Sequence, residues 1–491
     1  MTDSLLEFFK ANTAGRVELL GDETVASELS AYLGKAAFQE LSKLTKRADV
    51  TAHMGVKSPP NLIFIPGIMG SLLMSETKGG VWWIDARTRN HLDDLGLSRD
   101  GMDDQDPNNQ VRAFTVDTTY EAFALAALAR DDFGHRNFAY DWRKPYSSNT
   151  AALRDLILKM YEENRGEPVH IVAHSMGGIM ARATLMEYGD QLWKRVGRIA
   201  FVGTPHYGSP SIAGYLKNHL WGWNLMAILG MYLGRHTFRS LWGVLYLLPA
   251  PLGVYPGTRA DDNPPWRAQS ADDLAHQHPC ANFNMYDASA WILGLSDSDT
   301  GQLQRVLDAA AAFHRDLHGW HKQLNQECRD KMLMVAGVGM KTLFRLGYRT
   351  GLPALWKEMD KVTERVPGDP HRDGDGRVPL ASARLRGVTM RYVKGAHGGL
   401  TNIPAVYNDV FRWLKEEPLS SLPDSVEDAL SAHMGGTAES SEAPHLDGTA
   451  DLSGDDPGYW NFGEPDAAAL QALDAQVGQG KIPEFNRVRL L

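Results

Sequence analysis

Cysteine is scarce in this chain, whose 491 residues include only Cys280 and Cys328. Two cysteines cannot form the disulfide framework of a small secreted protein, and their number favours a reducing compartment. The sequence also lacks paired-cysteine motifs and the His-Glu-x-x-His motif of zinc hydrolases. We therefore expect a protein that needs no metal and no cofactor.

The sequence also lacks an excess of positive charge and a long apolar segment. Fifty Lys and Arg face 60 Asp and Glu, a formal net charge of −10, which argues against nucleic acid as a partner. The uncharged stretch 220–233 is shorter than the roughly 20 residues of a membrane span. The first ten residues lack the basic start and apolar run of a secretory signal. We expect a cytoplasmic location, with signal-independent export as the alternative.

The most informative segment that is present is Ala-His-Ser-Met-Gly at 173–177. It follows the apolar run 169–172 and leads into a helical pattern beginning with Gly178. A buried strand, a tight turn at serine and a helix together form the nucleophile elbow of α/β-hydrolases, here with Ala in place of the first glycine. The pattern predicts that Ser175 is a nucleophile. It also predicts that the amide of Met176 points at the site of a developing oxyanion.

An acid and a histidine follow the serine in the order that this fold requires. Asp375 lies in an Asp-Gly-Asp-Gly loop, and His397 directly follows the alternating strand pattern 388–393. A calcium loop is excluded because aligning Gly376 as its invariant glycine places His371 and Ser382 at positions that need acids. The sequence leaves Asp373 as an alternative to Asp375.

A second oxyanion donor is expected in the loop after an early strand. Residues 62–65 form an apolar run, and Pro-Gly-Ile-Met-Gly-Ser follows at 66–71. Two glycines let the backbone approach a ligand closely and leave amides free to bind it. We predict that Ile68 is this donor, with Met69 as the alternative; an ordinary strand-to-loop turn is the competing interpretation.

Together with Tyr-Asp-Trp-Arg at 140–143 and Gly-Thr-Pro-His-Tyr-Gly-Ser at 203–209, these motifs resemble the lecithin:cholesterol acyltransferase (LCAT) family in its broad sense. The resemblance covers roughly residues 60–415. It implies a catalytic triad of Ser175, Asp375 and His397. It also implies an oxyanion hole formed by Ile68 and Met176. The substrate pocket would include Met69, Asp141 and Trp142. Arg377 departs from the pattern, because the family usually has a small Thr or Asp there, and it would alter the mouth of the site.

Alternating strand and helix patterns predict the chain's organisation. We expect an α/β-hydrolase fold, a mostly parallel sheet with helices on both faces. Its core would comprise residues 58–212 and 330–415. The predicted additions are an N-terminal helical extension (1–57), a helical cap or lid (213–329) and a low-complexity, partly disordered tail (416–491).

These observations predict a serine-dependent lipid acyl hydrolase or O-acyltransferase that works through an acyl-enzyme. The apolar cap favours a lipid or other ester substrate and transient contact with a membrane surface. One alternative is a triad esterase, thioesterase or amidase that acts on a small non-lipid substrate. Another is a non-catalytic binding protein that keeps the fold.

Overall fold

The computed structural model describes most of the chain between residues 59 and 432. The described residues are 18–33, 59–83, 86–117, 133–218, 232–259, 283–348, 359–362 and 366–432, with single positions at 4, 7, 8, 38, 120, 123, 124, 126, 127, 279, 471, 472, 474 and 475.

Six parallel strands form the central sheet. They are β1 (Asn61–Ile65), β2 (Gly134–Asn137), β3 (Val169–His174), β4 (Val196–Val202), β5 (Met332–Val338) and β6 (Thr389–Lys394). Their order across the sheet is β6-β5-β4-β3-β1-β2, and every neighbouring pair is parallel. The carboxyl ends of all six strands therefore meet at one edge.

Helices cover this sheet. β1 and β5 are buried at every residue, as expected for apolar strands enclosed on both faces. The longer helices are α1 (Ser147–Glu163), α2 (Met176–Leu192), α3 (Pro210–Asn218), α4 (Asp297–Gln323) and α5 (Pro404–Leu414). The parallel sheet, its flanking helices and the strand–serine–helix turn confirm the predicted α/β-hydrolase fold.

Smaller elements surround the sheet. Ser71–Ser75 pairs antiparallel with Val81–Trp83 and Val111–Val116. Asp373–Gly374 pairs with Met340–Lys341, and Arg345–Tyr348 pairs with Met359–Val362. The other described helices are Glu23–Leu33, Ala86–His91, Asp93–Leu95, Arg235–Arg239, Trp242–Leu245, Ala288–Trp291, Gln326–Asp330, Leu380–Ala383, His397–Asn402 and Val426–Ser431.

The predicted cap is described in part. Its predicted boundary at residue 212 falls inside α3, and residues 219–231 lie outside the described residues. In the described part, Leu241, Val244 and Leu245 are fully buried. Among the helices that the structure describes, none has the length and apolar character needed to cross a membrane.

The predicted terminal segments are also described only in part. At the N-terminus, Val25 and Leu29 of the helix Glu23–Leu33 are buried. At the other end, residues 420–422 are tied to α5, because the buried carboxylate of Asp409 accepts hydrogen bonds from their three backbone amides. The first part of the predicted tail is thus held by a charged side chain, which composition does not reveal.

Candidate active site

The turn between β3 and α2 carries Ser175. Its backbone has φ 50° and ψ −125°, a left-handed conformation that is uncommon for a residue other than glycine and clusters at functional sites. Its amide donates a 2.9 Å hydrogen bond to the carbonyl of Val202, which is the last residue of β4. Ser175 is therefore fixed at the carboxyl edge of the sheet.

Two glycines let α2 approach the sheet closely. A Cβ at Gly177 would lie 2.5 Å from the carbonyl oxygens of Ile65 and Pro66. A Cβ at Gly178 would lie 2.1 Å from Oγ1 of Thr204. Larger residues would clash at both positions. The packing of α2 against the sheet therefore requires the two glycines of the predicted elbow.

Ser175, His397 and Asp375 form a continuous hydrogen-bonded row. Nε2 of His397 lies 2.8 Å from Oγ of Ser175, and Nδ1 lies 2.7 Å from Oδ2 of Asp375. All three side chains are almost completely buried. A carboxylate can only accept, so Nδ1 of His397 donates to Asp375, which leaves Nε2 to accept the serine proton.

Backbone amides orient the acid of this row. Oδ1 of Asp375 accepts hydrogen bonds from the amides of Arg377 at 2.9 Å and Val378 at 2.7 Å. The amide of His397 donates to the carbonyl of Asp375 at 2.9 Å. These bonds hold the loops after β5 and β6 together and direct Oδ2 towards the imidazole.

Asp373, the alternative acid, has a different environment. Its carboxylate accepts hydrogen bonds from the amides of Gly339, Gly368 and Gly374. It therefore shapes the loop after β5, while Asp375 is the acid that reaches His397.

The loop after β1 lies directly against Ser175. A Cβ at Gly67 would be 2.9 Å from Cβ of Ser175. The amide of Gly67 donates to Oη of Tyr120, and the amide of Gly70 donates to the carbonyl of Gly67. The indole of Trp83 donates to the carbonyl of Met69, which has a φ of 60°.

Ile68 and Met69 are the candidate donors that this loop leaves for an oxyanion. Within the part of the chain that the structure describes, no group accepts a hydrogen bond from either amide. Both residues line the pocket at Ser175, and Met176 contributes the first amide of α2. A helix's first amides have no acceptor within the helix, so this one is also suited to bind an oxyanion.

A mostly apolar pocket opens at Ser175. The lining side chains come from the loops after the strands, from α3 and from the cap: Ile68, Met69, Ser175, Pro205, Ser209, Ser211, Ile212, Tyr215, Phe238, Val244, Leu247, Arg377, Val378 and His397.

Trp142, which the resemblance assigns to the substrate pocket, lies in the core. It is fully buried, its indole donates to the carbonyl of Ser71, and its ring packs edge-on against Trp83. Trp142 is not among the described residues that line the pocket.

Asp141 has a structural partner instead of a place in the pocket lining. It forms a bidentate ion pair with the fully buried Arg143, which also bonds to Asp104 at 2.9 Å. Burial opposes the charge of Arg143, but the two carboxylates outweigh it and raise the pKa of the guanidinium. A buried arginine needs such counter-charges, which is why Asp141 turns inward.

One polar connection at the site has no clear sequence signal. Oη of Tyr120 lies 2.9 Å from Nδ1 of His174, whose Nε2 lies 3.0 Å from the carbonyl of His397. The pKa of His174 is lowered to about 3, mainly because the side chain is buried and to a smaller extent because His397 is close. His174 is therefore neutral. Its position before Ser175 was visible in the sequence, whereas its contact with Tyr120 depends on tertiary structure.

Within the described ranges, no three His, Cys, Asp or Glu side chains are arranged to hold a metal ion.

Comparison with known proteins finds a family similarity in one segment of the chain. Residues 131–254 match the family model of lecithin:cholesterol acyltransferase. This segment is LCAT-like. The LCAT-like segment contains β2, β3, β4 and the Ser175 turn.

A curated relative and two solved structures illustrate the similarity. Phospholipase A(1) LCAT3 of Arabidopsis thaliana is 24% identical over 305 residues, which are 57% of this chain and 66% of that protein. The chain thus spans just under two thirds of that relative's length. The Tle4–Tli4 complex aligns with 16% identity and a TM-score of 0.43, covering 73% of this chain and 98% of that one. The mature lipase BlEst2 of Bacillus licheniformis aligns with 15% identity and a TM-score of 0.32, covering 74% and 94%.

Proposed function

We propose that this LCAT-like chain is a serine-dependent acyl hydrolase or O-acyltransferase that acts on lipid esters. The observation that carries the proposal is the row Ser175–His397–Asp375, with contacts of 2.8 and 2.7 Å, at the end of an apolar pocket. The LCAT family match and the curated phospholipase relative support the lipid substrate class.

The geometry supports a two-step acyl transfer. His397 accepts the hydroxyl proton as Ser175 attacks the ester carbonyl, and Asp375 holds the imidazole and stabilises its cation. The amides of Met176 and of Ile68 or Met69 bind the oxyanion, each worth a factor of about 10² to 10³. His397 then protonates the leaving alcohol, and an acyl-enzyme remains on Ser175.

The second step decides between hydrolysis and transfer. Water or an alcohol gives its proton to His397 and attacks the acyl-enzyme, which releases a fatty acid or a new ester. The apolar lining from α3 and the cap, including Ile212, Phe238 and Val244, suits an acyl chain. In this proposal the cap is also the segment that meets a lipid surface.

Product analysis by mass spectrometry tests the proposal. Wild type and Ser175→Ala are incubated with phosphatidylcholine vesicles, a diglyceride and a short-chain ester, with and without a long-chain alcohol. We expect fatty acid and lysolipid from wild type and at least a 10⁴-fold lower rate from Ser175→Ala. A new ester with the alcohol identifies a transferase.

Ser298→Ala is the matched control, because Ser298 lies exposed in the first turn of α4, away from the pocket lining. It is expected to retain the wild-type rate. Cleavage of the short ester alone would favour a non-lipid esterase. Equal activity of wild type and Ser175→Ala on every ester would refute a serine mechanism.

A further inference from the structure

Arg182 carries a positive charge that no carboxylate of the described residues balances. It lies on α2 and is fully buried. Burial lowers the pKa of its guanidinium to about 10, so the group stays protonated at neutral pH. The equally buried Arg143 has two carboxylate partners, Asp141 and Asp104. A buried charge without such a partner is strongly destabilising, so Arg182 needs a counter-charge from elsewhere.

The contacts that Arg182 makes are with neutral groups. Its Nη1 lies 3.3 Å from Nδ1 of His206, and its Nη2 donates to the carbonyl of Leu317 on α4 at 3.5 Å. The guanidinium carbon lies 6.0 Å from the centre of the Trp320 ring. Nε has no hydrogen-bond partner. The side chain therefore keeps an unbalanced charge and an unused donor in the interior of the protein.

Two other buried donors beside α2 also lack a partner. A guanidinium can only donate, so Nδ1 of His206 accepts from Arg182 and Nε2 carries the proton. That Nε2 has no acceptor. Thr204 lies against Gly178, where a Cβ would come 2.1 Å from its Oγ1, and this hydroxyl has no partner either. Gly178 and Arg182 are four residues apart and share one face of the helix. The loop after β4 thus presents two unused donors along the face that carries the arginine.

The titratable side chains around Arg182 supply no negative charge. Burial lowers the pKa of His314 and His321 of α4 to about 4, and it also lowers the pKa of His318. Burial raises the pKa of the Tyr207 hydroxyl, which therefore stays protonated. Unused buried donors indicate a bound water or ion. Water would satisfy the donors but would leave the charge unbalanced, so the cluster suits an anion.

We propose that Arg182, His206 and Thr204 bind a small inorganic anion of the size of chloride, between α2, the loop after β4 and α4. Nε of Arg182, Nε2 of His206 and the hydroxyl of Thr204 donate to the ion, which supplies the missing counter-charge. A halide suits an enclosed site because it brings no oxygen atoms that need further donors. None of the three residues belongs to the described lining of the pocket at Ser175, so the anion site is separate from the proposed acyl-transfer site.

Urea unfolding in mixtures of sodium chloride and sodium fluoride at constant ionic strength tests the site. A ligand that binds only the folded protein raises the folding equilibrium constant in proportion to its concentration above the dissociation constant. We expect about a tenfold rise for each tenfold increase in chloride in that range. Arg182→Met removes the charge but keeps apolar volume, and it should fold without this dependence. Arg315→Gln, at an exposed arginine of α4, is the matched control and should keep the dependence.

Anomalous diffraction from crystals grown in sodium bromide locates the ion. We expect a bromide peak within hydrogen-bonding distance of Nε of Arg182 in wild type and no peak there in Arg182→Met. A water without bromide at this position would overturn the proposal. Wild-type stability that does not change as chloride replaces fluoride would do the same, as would a chloride dependence that survives in Arg182→Met. Because no ester enters these measurements, their outcome is independent of the proposed acyl transfer.

Discussion

The imidazole of His174 donates a hydrogen bond from Nε2 to the backbone carbonyl of His397 at 3.0 Å. A carbonyl can only accept, so Nδ1 of His174 carries no proton and accepts from the hydroxyl of Tyr120. That hydroxyl in turn accepts from the amide of Gly67 in the loop after β1. One neutral histidine thus connects the predicted oxyanion loop with the loop that carries the proposed base.

His174→Gln tests this positioning role. We expect kcat to fall about tenfold to a hundredfold with little change in KM, because a small displacement of His397 weakens proton transfer but not substrate binding. The measurement is steady-state kinetics on a soluble ester. His170→Gln is the matched control, since His170 lies on the same strand and accepts a hydrogen bond from the Arg198 amide. Equal losses in the two variants would mean that His174 acts only through stability.

Asp375→Asn and Asp373→Asn separate the catalytic acid from the structural one. Asp375→Asn is expected to lower kcat about 10⁴-fold, because the amide favours the wrong imidazole tautomer. Asp373→Asn weakens hydrogen bonds to three glycine amides, so its effect should appear in the urea midpoint. The comparison uses kcat per folded molecule, with folding followed by circular dichroism. A larger loss of kcat in Asp373→Asn would reverse the assignment.

The buried ion cluster around Arg143 predicts a stability effect at a position that looked functional in the sequence. Asp141→Asn leaves the guanidinium with Asp104 as its remaining paired carboxylate. We expect the free energy of unfolding to fall by about 3 kcal/mol, as for breaking a buried pair, while kcat/KM per folded molecule stays close to wild type. Urea unfolding and kinetics are measured on the same preparation. A rise in KM without loss of stability would instead make Asp141 a substrate contact.

Buried neutral histidines predict loss of stability in mild acid. Burial lowers the pKa of His170, His314 and His321 to about 4 and that of His174 to about 3. Unfolded histidine has a pKa of about 6.5, so the unfolded state binds more protons as the pH falls below that value. The free energy of unfolding should decrease between about pH 6.5 and pH 4, by up to about 1.4 kcal/mol per pH unit for each group.

Urea unfolding at several pH values checks this expectation. His314→Gln removes one titrating group while an amide can still donate to the carbonyl of Leu248, the partner of Nε2. The variant should show a smaller decrease per pH unit than wild type. A stability profile that is flat between pH 6.5 and pH 4.5 would contradict the neutral burial of these side chains.

Features encoded by neighbouring residues could be predicted from the sequence. Ser175 and His397 each lie within a few residues of the end of a strand pattern. The glycines after Ser175 directly indicate a tight turn. The sheet followed from apolar strands alternating with helices. In contrast, the hydrogen bonds of Trp142 to Ser71 and of Asp141 to Arg143 are not evident from the sequence. Contacts between distant segments decide such orientations, and local sequence does not record them.

The pocket wall was only partly predictable for the same reason. Met69 lines the pocket from the loop after β1, and Tyr215 and Phe238 reach it from α3 and the cap. Their apolar or aromatic character was visible, but core and pocket positions share that composition. Tyr120 lies more than 50 residues before His174, and only the fold brings the two together.

The central claim is that His397 activates Ser175 as a nucleophile, and covalent labelling tests it most directly. Wild type, Ser175→Ala and His397→Ala are exposed to a fluorophosphonate, and the adducts are located by intact-mass and peptide mass spectrometry. The account predicts one adduct, on Ser175, that is absent in Ser175→Ala and forms at least about 10²-fold more slowly in His397→Ala. Labelling at another residue, or equal labelling rates in wild type and His397→Ala, would contradict it.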